Sequence, residues 1–203
     1  DPESRSRRIS AFVVENTDEG FSIIKNEDKM GIRSVPVSET AFDGVFLPED
    51  RLLGGKPGLG FKHSMMTLDL ARPGVASQAV GTAGGALELA NTYACRRKQF
   101  GEPIGSFQMV QSMLADMAMK TEAARWLVYA CASAADAGDM KAVNKLAAMS
   151  KCFATDVAVA VATDAVQIFG GYGFMEDYPI AKFYRDSKIL QIYEGTNQVQ
   201  RLV

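Results

Sequence analysis

Metal ligands and disulfide partners are scarce in this sequence: its 203 residues include three cysteines and one histidine. Cys95, Cys131 and Cys152 are odd in number and lack metal-type spacing, so they read as small buried hydrophobes of a reducing compartment. His63 has no cysteine or second histidine within ligand spacing, which makes it a bystander rather than a ligand or base. An excess of one charge is missing too. With 22 basic and 24 acidic side chains the formal charge is −2 and no like-charged block runs along the chain, which excludes a generalised nucleic-acid-binding surface. No initiator methionine precedes Asp1-Pro2-Glu3, no apolar signal core follows it, and no helix stop signal precedes Arg201-Leu202-Val203. Both ends read as cut, so the expectation is a fragment of a longer protein. The most apolar stretch, Cys152 to Phe169, carries Asp156 and Asp164 and follows Lys151; a buried helix is expected there, and no membrane span. Neither an internal repeat of about 20 to 50 residues nor a low-complexity tract is visible.

What is present is ordinary globular material, 47% apolar and 23% charged, enough for a sizeable core. Two textures divide it near residue 56. From Arg8 to about Leu53, β-leaning runs alternate with turn residues: Ile9 to Val14, Phe21 to Ile24, Val35 to Phe42 and Val45 to Leu47. These read as the remainder of a small β-domain, over residues 1–56. The following Gly54-Gly55-Lys56-Pro57-Gly58-Leu59-Gly60 lacks the Lys-Ser/Thr of a phosphate-binding loop and precedes no βαβ unit, so it reads as a domain-joining turn.

Residues 57–203 read as mostly α, an antiparallel four-helix-type up-down bundle of long helices with the last one truncated. A helical run from about Phe61 to Cys95 is predicted to bend where Pro73 removes a backbone donor. Phe107, Val110, Leu114, Met117, Thr121, Ala124, Val128, Cys131 and Ala135 then recur at steps of three and four, the seam of a helix lying lengthwise on another. Gly138 stops it. Val143, Leu146, Ser150, Phe153, Val157, Val161, Ala165 and Ile168 repeat the spacing up to Gly170-Gly171, and so short a connection forces the two helices antiparallel. Pro179 opens a further helix to about Ile192, and another starts near Thr196.

Polar or glycine-rich segments interrupt this pattern at helix ends: Arg96 to Gly101, Gln167 to Gly173 and Tyr193 to Gln198. The basic cluster is also what a helix dipole favours, and Gly170-Gly171 also what ends a helix. Glu194 is a carboxylate between two helices, followed by a glycine that allows close backbone approach, an arrangement open to a positioned general base.

Taken together these segments resemble the acyl-CoA dehydrogenase family. The resemblance covers essentially the whole chain, from Lys29-Met30-Gly31-Ile32-Arg33 and Phe42-Asp43-Gly44-Val45-Phe46-Leu47-Pro48 to Asp164-Ala165-Val166-Gln167-Ile168-Phe169-Gly170-Gly171, Arg185-Asp186 and Ile192-Tyr193-Glu194-Gly195-Thr196. It implies an FAD enzyme that converts a saturated acyl-CoA thioester to the trans-2-enoyl-CoA and passes electrons to an electron-transferring flavoprotein. By that resemblance Glu194 takes the α-proton while the β-hydrogen leaves as hydride, and the base residue's own N–H helps to bind the developing enolate oxygen. Gly195 is glycine, on this reading, because a Cβ would crowd the thioester.

Carried over position by position, Arg97, Gln99, Phe100 and Gln108 correspond to contacts with the FAD of a neighbouring subunit, although Gln99 departs from the Thr common there. Gln167, Ile168, Phe169, Gly170 and Gly171 match the segment near the adenosine and pyrophosphate; Thr196, Asn197 and Gln198 match a flavin-binding turn. Asp69, Arg72, Tyr193 and Gly195 correspond to the substrate side. Two subunits per flavin, and a homotetramer built as a dimer of dimers, are implied. Isovaleryl-CoA and long-chain relatives carry their base at the position of Ala71, so Glu194 favours the short/medium-chain type. An acyl-CoA oxidase and a non-catalytic helical oligomerisation module are the alternatives. The implied compartment is the bacterial cytoplasm or the mitochondrial matrix.

Overall fold

The computed structural model describes residues 9–203; the expectations placed on Asp1-Pro2-Glu3 and on a β region opening at Arg8 lie outside them. The chain divides into two compact units between Leu68 and Asp69, later than the expected boundary at residue 56. The division falls inside helix α1 (Gly60–Arg96).

In the first unit, β1 (Phe21–Asn26) pairs antiparallel with β2 (Ser38–Phe42), in register from Phe21 opposite Phe42 to Asn26 opposite Ser38, with a bulge between Ile23 and Lys25. The Phe21 and Phe42 rings close one end at 5.3 Å, and the Ser38 hydroxyl meets the Asn26 carboxamide oxygen at 2.6 Å at the other. Two of the expected strands do not form. Ile9 to Val14 contributes an isolated bridge, Phe12 to Leu52, because the partner strip turns into a short 3-10 segment at Leu53 and Gly54 (φ 77°) and cannot extend the ladder. Val45 to Leu47 lies between a left-handed Gly44 (φ 64°) and Pro48, which has no N–H to donate.

The second unit is built on long helices. α1 runs unbroken through Pro73, and from Val75 onward its buried side is almost all alanine: Ala76, Ala79, Ala83, Ala86, Ala90 and Ala94. Small residues bring neighbouring helices close. Gly85 shows how close, since a Cβ there would sit 2.9 Å from the Phe183 ring. A two-residue hairpin, β3 (Lys98–Gln99) with β4 (Glu102–Pro103), leads to α2 (Gln108–Asp136). α2 ends at Gly138 (φ 72°), and the Asp139 carboxylate accepts the Ala142 N–H at 3.0 Å to cap α3 (Met140–Phe169). This three-residue connection makes α2 and α3 antiparallel, as the spacing predicts. α4 (Ile180–Leu190) and the short α5 (Asn197–Gln200) complete the unit.

The narrow seam expected on α3 is instead a broad stripe. Ala147, Lys151, Ala154, Ala158, Val161 and Ala165 are all buried, whereas Phe153, expected in the seam, is 40% exposed, and Ala135 at the end of α2 is exposed. The cause is that α3 packs against α2 on one side and α4 on another, so more than a two-helix seam is covered. α3 is long and apolar enough by length and composition to cross a bilayer, yet half of its most apolar window is buried among its neighbours. Cys131 is buried, Cys152 partly so, and Cys95 is exposed, which corrects the expectation of three buried thiols; Cys95 lies in the last turn of α1, beside the buried Ala94 but off the packed face.

Candidate functional site

The turn between α4 and α5 is held by several side chains at once. Glu194 (φ 56°) and Gly195 (φ 89°) are consecutive left-handed residues. For glutamate that conformation costs roughly 1–2 kcal/mol, so the surroundings must impose it. They do so through the carbonyl oxygens. The Glu194 oxygen accepts from Gln200 Nε2 at 3.2 Å and Arg72 Nε at 3.4 Å; the Gly195 oxygen accepts from Lys151 Nζ at 2.8 Å and Gln200 Nε2 at 3.0 Å. Thr196 caps α5 by accepting the Val199 N–H at 3.3 Å. The Glu194 carboxylate itself makes no hydrogen bond or ion pair among the described residues, and its N–H reaches no backbone acceptor there. A base needs a free lone pair and an oxyanion donor a free N–H; both are available.

Several residues expected on the substrate or cofactor side turn inward. Arg72, 5% exposed, holds Asp69 at 3.0 Å as well as the Glu194 carbonyl. Tyr193 donates its hydroxyl to Gln78 Oε1, and burial, with the Glu194 charge beside it, pushes its phenol above the ordinary value. Gly195 is required by the chain's own packing. Its left-handed φ of 89° strains any residue with a side chain, and a Cβ there would also lie 2.6 Å from Gln200 Nε2, one of the donors that hold the turn. Asn197 points into the interior, its carboxamide nitrogen donating to the Cys152 carbonyl, Thr155 Oγ1 and Asp156 Oδ1 at 3.2, 2.8 and 2.7 Å, so its side chain is not offered to a cofactor.

At the centre of that interior sits a residue that sequence reasoning passed over. Lys151 is 0% exposed and donates to the Gly195 carbonyl and to Asn197 Oδ1 at 2.8 and 2.9 Å. Burial pushes its ammonium below the ordinary lysine value. The available signal was its phase: Ala147, Lys151, Ala154 and Ala158 follow the 3.6-residue period of a buried stripe.

A second cluster lies at the other end of α1. Arg97, Gln99, Ile168, Phe169, Gly170 and Gly171 line one cleft of about 520 Å³, together with Tyr93 and Tyr172. Phe169 stacks on Tyr93 at 4.1 Å, and the Arg97 guanidinium lies 5.3 Å from the centre of the Tyr172 ring. Gly170 and Gly171 leave the backbone open, since a Cβ on either would meet nothing within 4 Å. An aromatic floor, a guanidinium and an uncovered backbone suit a planar ring joined to phosphate. Beside the cleft, Phe100 (φ 53°) and Gly101 (φ 85°) form the tip of the β3–β4 hairpin and hold the Phe100 ring 96% exposed. Gln108, Gln167 and Gln198 have exposed side chains. From Arg72, beside the Glu194 carbonyl, to Arg96, the residue before the cleft's Arg97, α1 rises about 36 Å at 1.5 Å per residue.

Comparison with known proteins places this geometry. Residues 58–203 match the family profile described as "Acyl-CoA dehydrogenase, C-terminal domain". The chain is 54% identical over 203 residues to a Mycobacterium leprae protein named "Probable acyl-CoA dehydrogenase fadE25", covering 100% of this chain and 52% of that one. Butyryl-CoA dehydrogenase from Megasphaera elsdenii matches with a TM-score of 0.95 at 49% identity, over 100% of this chain and 52% of that one. A chain in the structure described as "Electron transferring flavoprotein of Acidaminococcus fermentans: Towards a mechanism of flavin-based electron bifurcation" matches with a TM-score of 0.95 at 51% identity, with the same coverage of both chains. The chain spans about half the length of these relatives. It belongs to the acyl-CoA dehydrogenase family, and its residues from 58 onward are that family's C-terminal domain.

Proposed function

We propose that this chain supplies about half of an FAD-dependent acyl-CoA dehydrogenase of the short/medium-chain type, including residues of its C-terminal domain. The reaction is conversion of a saturated acyl-CoA thioester to the trans-2-enoyl-CoA, with an electron-transferring flavoprotein taking the electrons. The observation that carries the reading is the Glu194 carboxylate, unpaired among the described residues, on a backbone pinned in a costly conformation by Arg72, Lys151 and Gln200. Strain held this firmly beside a free carboxylate fits a base that must meet one carbon atom.

In this mechanism Glu194 removes the α-proton, and its own N–H donates to the thioester oxygen as charge gathers there. A weakly acidic carbon needs both groups, because a base alone leaves the enolate unsupported. Bound FAD supplies the acceptor for the β-hydrogen, which departs as hydride. Arg97, Gln99 and the open Gly170-Gly171 backbone would hold the dinucleotide, with the guanidinium facing its pyrophosphate, and the exposed Phe100 ring would press on it. The span of α1 between Glu194's neighbourhood and this cleft is longer than an extended FAD, so the two ends would serve different flavins. That supports a flavin site shared between two copies and a homotetramer built as a dimer of dimers. The flavoprotein partner is supported by the related chain in the Acidaminococcus fermentans structure. Bacterial relatives favour the cytoplasm as the compartment.

The test is Glu194→Gln in the full-length protein. Bleaching of bound flavin by acyl-CoA is expected to slow by at least about 10²-fold, the usual contribution of a positioned base, while flavin stays bound. Bleaching at the wild-type rate would move the base elsewhere.

A further inference from the structure

A lysine without solvent contact, set among alanines, carries a cost that an apolar side chain of equal length would avoid. Lys151 makes both of its described hydrogen bonds to the turn that follows Glu194, one to the Gly195 carbonyl and one to the Asn197 carboxamide. We propose that Lys151 is a positioning residue for the Glu194 base: from the rigid α3 helix it fixes the Gly195 peptide, and so the direction in which the neighbouring carboxylate is presented.

Gly195 has no Cβ, and its φ and ψ are the softest in the turn. Left unrestrained, rotation about them would swing the peptide joined to Glu194 and move the carboxylate off its target. Three side chains hold the two carbonyls, and they differ in what stands behind them. Gln200 belongs to the four-residue α5 and moves with the turn itself. Arg72 reaches the Glu194 carbonyl at 3.4 Å, a long bond. Lys151 gives the shortest contact, 2.8 Å, from the middle of a 30-residue helix. Its second bond fixes Asn197, the first residue of α5, which Thr155 Oγ1 also contacts from α3. Turn and short helix are thereby referenced to the bundle core at two points, Gly195 and Asn197.

This proposal rests on the dehydrogenase reading, and its experiment separates the two. The probe is a 3-thiaacyl-CoA bound to the flavin-loaded full-length protein in D2O. Sulfur at the β position prevents hydride departure, so the reaction is proton transfer alone: the α C–H bond breaks, its proton passes to a carboxylate oxygen of Glu194, and a solvent deuteron returns. Nothing is oxidised. Exchange at the α carbon is followed by NMR, and ligand affinity by titration. Lys151→Met is expected to slow exchange about 10- to 100-fold with affinity changed less than about twofold, the scale expected for a base displaced by roughly an ångström. Lys151→Gln keeps an N–H donor and recovers part of the rate, remaining at least about threefold slow; it decides the question alone should the methionine variant not fold.

Val161→Ala, which hollows the same helix away from the turn, controls for lost stability: it should lower Tm and leave exchange unchanged. Wild-type exchange in a folded Lys151 variant, or equal slowing in Val161→Ala, overturns the positioning role. Loss of exchange in Glu194→Gln together with wild-type exchange in Lys151→Met overturns this proposal alone. Wild-type exchange in Glu194→Gln overturns the dehydrogenase reading and this proposal with it.

Discussion

Phe100 is held in a left-handed conformation with almost its whole ring in water, its described neighbour being Phe107 at 6.2 Å between ring centres. Neither feature stabilises the chain, and both suit a ring awaiting a surface outside it. Phe100→Gly should therefore raise unfolding stability by roughly 0.5 kcal/mol, the left-handed penalty of about 1–2 less the added unfolded-state entropy of glycine of about 0.4–1. The same change should weaken flavin retention, measured as the FAD fraction surviving gel filtration; a variant that is less stable and fully loaded would contradict this. Individual residues were legible to different depths. The sequence placed Glu194 between two helices, and a carboxylate at a helix gap is visible in one dimension. Which way Asn197 faces is not, because it depends on Thr155 and Asp156, some forty residues earlier, arriving from α3.

Helices were the readable elements because alternate three- and four-residue spacing over 29 and 30 residues has no competing explanation. Their partners were harder to read. The α3 pattern predicts a seam, and a broad stripe forms because a second neighbour, α4, claims positions that a single partner would leave exposed. Short strands were the least readable. Ile9 to Val14 has the composition of a strand, but pairing requires a partner of matching length, and the strip at Arg51 to Leu53 ends too soon, offering the Val13 N–H one carbonyl at 3.0 Å.

Lys151 gives α3 a measurable signature. Burial lowers its value from the ordinary 10.5, so between the lowered folded value and 10.5 the unfolded chain binds more protons, and stability rises with pH through that window; below it the burial penalty is fully present. The Lys151→Met variant should lack this gain. Parallel urea unfolding at neutral and alkaline pH is expected to show wild type gaining on the variant, and a constant difference between them would remove the buried amine from the stability account.

At the scale of the whole molecule, the organising fact is the distance of about 36 Å along α1 between the Glu194 turn and the Arg97 cleft. On the proposed reading, a chain that carries both ends of a dinucleotide site at that separation would complete neither alone. The sequence shows the two motifs but not the length of helix between their folded positions, since Gly170 and Glu194 are near in sequence, with α4 between them, while the helix that spans their folded positions, α1, lies earlier in the chain. In the proposed assembly, one flavin site takes its base from one copy and its pyrophosphate clamp from another.

Mixing two inactive full-length variants, Glu194→Gln and Arg97→Ala, under conditions that exchange subunits tests it most directly. A mixed pair contains one site with both residues intact and one with neither, so random exchange should restore about a quarter of wild-type flavin bleaching by acyl-CoA. If the two residues serve the same flavin within one copy, every site in the mixture carries a defect, and activity would stay at the level of the separate variants.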